Sequence, residues 1–393
     1  MDLKFSPEDN AFRAEIRAWL AENLAAMGHH SKTRAEKIAP EYRRAWEDHV
    51  CRSGWADLSW PREFGGKEMP IQRQVIFWEE YGAADAPIGI NQLAHGILGP
   101  TLIVHGTEAQ KRRFLPKINS NEEIWCQGYS EPGAGSDLAA LRTRAERRGD
   151  VYVVNGQKVW TSLAQYSDWC FVLVRTDANA AKHKGISFLL VDMKTQGIEV
   201  RPLRQITGES DFNEVFFNDV EVPVDNIVGA ENGGWEIAMA AASFERGTYF
   251  IPRQVRLAAE LTALIETARR TIRNGRALIE DSAIRDRIVR LHMDVTIMRQ
   301  HSYRTLSALM HGAVPGPEAS FTKLFWSETS QRLQELGMDI IGADASLGLE
   351  DADAADGGRW QYDFLRTRSQ TILAGTSEIQ RNIISERTLG MPR

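Results

Sequence analysis

The residues best suited to chemistry in this chain fall in two nearby segments, Tyr129-Ser130-Glu131-Pro132-Gly133-Ala134-Gly135-Ser136-Asp137 and Lys158-Val159-Trp160-Thr161-Ser162. The first interleaves glycines with hydroxyl side chains. Its backbone N–H groups can wrap an anionic or carbonyl-rich ligand, because glycine adopts the backbone angles such a cradle needs. The second segment sets a tryptophan and two hydroxyls at the end of a strand. A large ring at a strand end usually packs into a core, so Trp160 taken alone would be core.

A third candidate is Glu245, in Ser243-Phe244-Glu245-Arg246-Gly247. On a helix it lies seven residues after Ala238, four after Ala241 and three after Ala242, so its carboxylate shares a face with small side chains. Such a face leaves room for a ligand, and it equally suits close helix packing. A helical glutamate without such context is usually a solvated surface residue.

These groups need elements to hold them. Ser6-Pro7-Glu8-Asp9 reads as an N-cap, a proline at the first helical position and acids in the first turn, and Phe12, Ile16, Trp19 and Leu20 follow at helical spacing. Further helices are expected over 40–54, 71–81 and 92–105, with 111–118 as a short basic connector. Near Trp125 the pattern changes. Two β-rich runs, Val151–Val154 and Gln157–Trp160, flank Asn155-Gly156, which predicts a hairpin. Strands are also expected over 169–174, 186–192 and 215–222, in a small antiparallel barrel or sandwich. After Pro223 the pattern is helical again: a helix opening at Gly233-Gly234-Trp235, then 253–274, 284–311, 321–341 and 377–388, with a solvated loop over 351–358. The expected domains are 1–123 (helical), 124–230 (β) and 231–393 (a helical bundle), an α+β fold.

Composition narrows the function classes. A chain of 393 residues with 43% apolar side chains can bury a sizeable core. A formal net charge of -6 gives no reason to expect nucleic-acid binding. Cys51, Cys126 and Cys170 lack C-x-x-C spacing and read as reduced buried thiols. His29-His30 and His292 lack ligand spacing with other candidates, so no metal site is expected. There is no apolar run of membrane-span length and no signal-peptide pattern, which points to a cytoplasmic protein.

The Ser130–Asp137 loop, followed by Trp160 and, near the end, by Gly375-Thr376-Ser377-Glu378-Ile379-Gln380-Arg381, resembles the acyl-CoA dehydrogenase family over the full length of the chain. The resemblance implies an N-terminal helical domain, a middle antiparallel β-barrel domain and a C-terminal four-helix bundle. It implies noncovalently held FAD and oxidation of an acyl-CoA thioester to the trans-2-enoyl form. A carboxylate takes the α-proton while the β-hydride passes to FAD N5, and donors polarise the thioester carbonyl. Carried over by motif, Ser130 bonds the flavin pyrimidine edge, Ser136 approaches pyrophosphate or CoA, Trp160 packs on the flavin and Ser162 approaches N5. Tyr129, Gly135, Thr376 and Glu378 complete the cofactor set. Ser136, Arg246, Ala374 and Gly375 form the substrate set, with the Ala374 N–H as a carbonyl donor.

Many family members carry a glutamate immediately before the Gly-Thr-Ser turn. Here that position is Ala374, which cannot take a proton. A minority of the family uses a glutamate just before an arginine on the first long helix of the C-terminal domain, and Glu245-Arg246 matches it. Glu245 is therefore the expected base. That arrangement occurs in members acting on branched or bulky acyl chains. A resemblance to the large subunits of heteromeric bacterial enzymes adds dicarboxylyl or sterol-side-chain thioesters of fatty acid or sterol side-chain β-oxidation in lipid metabolism. Electron-transfer flavoprotein is the reoxidant that the family implies.

Two motifs that homotetrameric members lend to a neighbour's flavin are degraded. Arg-x-x-Phe-Gly has become Thr271-Ile272-Arg273-Asn274-Gly275, and Gln-x-x-Gly-Gly has become Asp339-Ile340-Ile341-Gly342-Ala343. An aspartate near pyrophosphate is repulsive. This resembles the large subunits of heteromeric bacterial enzymes, implying an α2β2 heterotetramer. A homotetramer is the alternative if Arg273 or Arg276 replaces the lost arginine. Competing functions are a flavin monooxygenase or oxidase on the same fold, and a noncatalytic partner subunit. The presence of Glu245 and of the intact loop argues against both.

Overall fold

Ser6 accepts the Asp9 amide at 3.1 Å and Pro7 opens the first helix, as the Ser-Pro-Glu-Asp start predicts. The computed structural model describes residues 5–29, 39–245, 250–310, 316–317, 319–349 and 351–392, with only the backbone described for Ser243, Glu245, Phe250, Ile251 and Leu309. Helices α1 (Pro7–Ala26), α2 (Pro40–Arg52), α3 (Ile71–Ala83), α4 (Gly99–His105) and α5 (Glu108–Asn119) come first. Strands β1 (Trp125–Gly128), β2 (Arg144–Arg148), β3 (Val151–Ser162), β4 (Trp169–Arg175), β5 (Ile186–Asp192), β6 (Ile198–Leu203), β7 (Phe212–Pro223) and β8 (Ile227–Val228) follow. Next come α6 (Gly234–Glu245), α7 (Phe250–Arg270), a ribbon of β9 (Ile272–Arg273) and β10 (Arg276–Ala277), α8 (Ser282–Met310), α9 (Ala319–Ile341), α10 (Arg359–Thr367) and α11 (Ser377–Ile383). The order is helical, β, helical. None of the described helices is long and apolar enough to cross a membrane.

The elements divide into two compact units. One holds β1–β8 with α2, α4, α5 and α6. Its sheet runs β6-β7-β3-β2-β4-β5-β8, with β1 on β4. The pairings are antiparallel except β1 with β4 and β2 with β4, which are parallel. Both faces are buried, so β4 and β5 carry apolar runs through Trp169–Val174 and Phe188–Val191. With period two, Cys170, Val172, Val174, Leu189 and Val191 join Val154, Val215 and Phe217 on one face. Phe171, Leu173, Phe188 and Leu190 face Leu98, Leu102, Phe114, Ile118, Ile237 and Ala241 on the other.

The second unit holds α1, α3, α7–α11 and the ribbon. Leu257, Leu261 and Leu264 of α7, Leu291, Val295 and Met298 of α8, Leu333, Leu336 and Ile340 of α9, and Trp360 of α10 form its core. Gly337 lets Trp360 approach: an added Cβ would lie 2.3 Å from the indole.

Four expectations change. Asn155-Gly156 is no hairpin turn. β3 runs straight through it, with a bulge against β7. Asn155 Nδ2 donates to Asp219 Oδ1 at 2.9 Å, and its Oδ1 accepts the Asp219 backbone N–H at 3.0 Å. Gly156 admits Thr143, whose Oγ1 would lie 2.5 Å from an added Cβ. The real hairpin closes at Gly149-Asp150, where Gly149 has φ 62°. The connector over 111–118 is instead the body of α5. A reciprocal capping box opens it, Gln110 N–H to Thr107 Oγ1 at 3.2 Å and Thr107 N–H to Gln110 Oε1 at 3.0 Å. The helix expected over 253–274 stops at Arg270, and Asn274-Gly275, both at positive φ, turn the ribbon. The loop 351–358 is not wholly solvated, since Asp356 accepts from Thr267, Arg270 and the Trp360 indole.

Candidate functional site

The Ser130–Asp137 loop is held by one buried carboxylate. Glu131 accepts the Arg142 N–H at 2.7 Å, the Thr143 N–H at 2.9 Å and Lys158 Nζ at 2.8 Å. Lys158 also donates to the Tyr129 carbonyl at 3.1 Å, and the Ser130 carbonyl accepts the Val159 N–H at 2.9 Å. The two sequence segments are therefore one object. Burial alone would raise the Glu131 carboxyl, but Lys158 and the donated N–H groups hold it below its usual range. Burial draws the Lys158 ammonium down against the pull of Glu131. Tyr129 is half-buried, edge-on to Phe171 and Phe188. Ser130 is half-buried, while Gly135 and Ser136 are exposed. Asp137 pairs with Lys182.

Two residues beyond Lys158, the register against β7 breaks. Trp160 takes the left-handed region, φ 61°, and its side chain stands 61% exposed. Only the edge of Phe212 meets it among described rings, at 6.1 Å. Thr161 turns inward, and its buried Oγ1 has no hydrogen-bond partner. Ser162 is half-buried and pairs with Phe212 in β7.

The Gly-Thr-Ser turn belongs to the other unit. Ala374 at φ 51° and Gly375 at φ 88° are both left-handed, and Thr376 caps α11 by accepting the Ile379 N–H at 3.2 Å. Lys323 Nζ donates to the Gly375 carbonyl at 2.7 Å, and Gln380 Nε2 to the Ala374 carbonyl at 2.9 Å. Glu378 is exposed in the first turn of α11. Backbone hydrogen bonding at the helix start holds its carboxyl below the usual value.

Glu245 is the last residue of α6; its side chain, and all of Arg246, lie outside the described residues. Of the small residues on the Glu245 face, Ala238 and Ala241 are fully buried in the sheet-side core with Ile237, and Ala242 is half-buried. At the degraded motifs, Asp339 pairs with Arg287 at 2.7 Å, and Arg273 donates to the carbonyls of Asp339 and Ile340 at 3.1 and 3.2 Å. Arg273 is thus engaged within its own unit. No cluster of three metal-binding side chains occurs among the described residues.

A flavin fits the first unit's residues on three counts. An exposed indole at a strained bulge offers a flat apolar face. The hydroxyl of Thr161, next in sequence, is buried without a hydrogen-bond partner. Gly133 and Gly135 are required neither by positive φ nor by any neighbour, since an added Cβ at either meets nothing within 4 Å. The chain's own packing therefore does not account for those glycines. Lys158, Lys323 and Gln380 escaped the sequence reading as supports of the site. A lysine at an inward strand position, and polar side chains among apolar ones on α9 and α11, were the available signals.

The acyl-CoA dehydrogenase N-terminal, middle and C-terminal domain models match residues 6–122, 126–220 and 232–389. Acyl-CoA dehydrogenase IpdE1 of Mycobacterium tuberculosis is 46% identical over 387 residues, covering 97% of each chain. The Tcur3481-Tcur3483 steroid ACAD has a TM-score of 0.88 at 31% identity, covering 100% of both chains. The ChsE4-ChsE5 complex of Mycobacterium tuberculosis has a TM-score of 0.87 at 34% identity, again over 100% of both chains. Three family domains in order, and a relative this similar from end to end, mean that the chain belongs to the acyl-CoA dehydrogenase family.

Proposed function

We propose that this chain is the FAD-binding subunit of a heteromeric dehydrogenase that forms the α,β-double bond of a bulky, steroid-derived acyl-CoA thioester. The observation that carries the reading is Trp160, exposed at a left-handed bulge directly beyond the Lys158–Glu131 anchor. A protein keeps such a ring exposed and strained where a flat ligand covers it. The substrate class draws on the 31% and 34% identity to a steroid ACAD and to the ChsE4-ChsE5 complex, and both of those are assemblies of two different chains.

Bound FAD supplies the hydride acceptor. Ser130, Ser136, Trp160 and Ser162, with Tyr129, Gly135, Thr376 and Glu378, are the residues that would hold it. On the substrate, Glu245 takes the α-proton, because Ala374 has no carboxylate to offer. The Ala374 N–H donates to the thioester carbonyl, stabilising the charge that develops on its oxygen. Arg246 and Ser136 serve the CoA side. The partner chain supplies the flavin contacts that Thr271, Asn274 and Asp339 no longer can, and electron-transfer flavoprotein accepts the electrons.

An anaerobic absorbance titration with a panel of acyl-CoA thioesters tests this, using the chain alone and co-expressed with candidate partners. Flavin is expected to be retained on co-expression and bleached by steroid-side-chain thioesters, but not in Glu245→Gln. Bleaching unaffected by Glu245→Gln removes Glu245 as base. Flavin retained but bleached by no thioester removes the dehydrogenase reading. A full flavin complement in the chain alone removes the partner requirement.

A further inference from the structure

We infer that Lys323 and Gln380 are positioning residues for the reaction: together they lock the Ala374–Gly375 turn in the conformation that presents its N–H edge to the thioester carbonyl. The inference rests on the reading of the Ala374 N–H as a carbonyl donor. Two consecutive left-handed residues need support, and for alanine the conformation is intrinsically unfavourable because Cβ crowds the following carbonyl oxygen. The support is visible. Gln380 Nε2 holds the Ala374 carbonyl at 2.9 Å, and Lys323 Nζ holds the Gly375 carbonyl at 2.7 Å. The Ser377 N–H returns to the Thr371 carbonyl at 2.9 Å and closes the loop. The two clamped peptides turn the Gly375 and Thr376 N–H groups away from α9 and α11. The Ala374 N–H lies in the preceding peptide, and Leu373, which leads into it, is anchored by its own N–H to the Ser369 carbonyl at 2.9 Å. The clamp therefore acts on the Ala374 N–H by fixing the Ala374 backbone at φ 51° between these two anchors.

Lys323 is more than a helix needs. It is 3% exposed, on a stretch of α9 whose neighbours Ser320, Trp326 and Ser327 are also buried. A neutral amide could satisfy a carbonyl there at lower desolvation cost. An ammonium adds a fixed positive charge behind the turn, in a region where low dielectric strengthens its effect on charge developing at the substrate oxygen. Gly375 is equally constrained: an added Cβ would lie 2.6 Å from Gln380 Nε2 at a φ of 88°. The clamp and the turn are therefore fitted to each other.

The test separates positioning from folding and from the parent reading. In D2O, under anaerobic conditions, 3,3-dimethylbutyryl-CoA has α-protons but no β-hydrogen, so NMR of its α-proton exchange reads carbonyl polarisation without hydride transfer. In the flavin-loaded assembly, Lys323→Met is expected to slow both this exchange and kcat about tenfold, less than the ~10²–10³ for deleting a carbonyl donor. KM and flavin content should stay within about twofold, and Lys323→Arg should recover most of the loss. Exchange and kcat unchanged in a folded Lys323→Met protein overturn the inference. A joint fall of kcat, flavin content and melting temperature overturns it too, in favour of a purely structural role. If Lys323→Met does not fold, Gln380→Leu decides by the same readouts; failure of both to fold assigns the contacts to folding alone. Wild-type protein that neither exchanges this thioester nor turns over any acyl-CoA refutes the dehydrogenase reading itself, a distinct result.

Discussion

Lys158 and Glu131 form a buried ion pair, Nζ to Oε1 2.8 Å, that joins strand β3 to the loop beside it. Lys158 is completely buried, and Glu131 also accepts two backbone N–H groups. Lys158→Met leaves that carboxylate buried without its counter-charge, at a cost of about 3–5 kcal/mol. Calorimetry should give a melting temperature several degrees lower, with flavin lost in parallel because the loop and the Trp160 bulge share this anchor. A variant as stable as the wild type would mean that the pair is dispensable.

Trp160 offers the opposite test. Trp160→Gly removes the strain of a left-handed non-glycine residue, about 1 kcal/mol, and surrenders little packing because the ring is mostly exposed. The apoprotein should become no less stable, while flavin dissociates more readily. Fluorescence titration with FAD reads the affinity and a thermal melt reads the stability. Unchanged affinity would return Trp160 to the class of ordinary surface rings.

His95 links stability to pH. It sits in a short stretch of wider helix, Ala94–Leu98, with Nδ1 3.0 Å from Asp57 and Nε2 3.9 Å from Cys51 Sγ; Glu47 acts on it from the same interior. Burial alone would lower the imidazole, but Asp57 and the contact to Cys51 raise it well above its usual value. A group whose folded pKa is raised contributes stability fully below its unfolded value, about 6.5, and loses it as pH rises through the folded pKa. Urea unfolding across this range should show stability declining with pH above about 6.5, and His95→Gln should flatten the decline. An identical slope in the variant would rule His95 out as the source.

Asp339 addresses the assembly. Its pairing with Arg287 is largely exposed, so Asp339→Gln should change stability by less than about 1 kcal/mol. If the chain works in the proposed heteromer, where a partner supplies these flavin contacts, flavin content and kcat of the co-expressed enzyme should not change. Increased flavin retention by Asp339→Gln in the chain purified alone would indicate a homotetramer in which this carboxylate repels a neighbour's flavin.

Much of the molecule was legible in its sequence because the relevant physics is local. A serine before Pro7 caps α1 wherever the helix lies, and the alternating order of helical and β segments survives folding. The Ser130–Asp137 loop stood out by its glycines and hydroxyls, whereas Trp160 and the alanine at 374 gained meaning only from the family resemblance. The capping box of Thr107 and Gln110 was equally local, and it marks a helix where a connector was expected. Tertiary structure decided the rest. Asn155-Gly156 carries the strongest local hairpin signal in the chain, yet β7 supplies a longer partner and β3 passes straight through. Lys158 meets Glu131 across 27 residues, and Lys323 meets Gly375 across 52. No local propensity encodes such pairings. Each is set by which polar groups the packed interior leaves in need of a partner, because an unsatisfied buried donor or acceptor costs more than any turn preference gains.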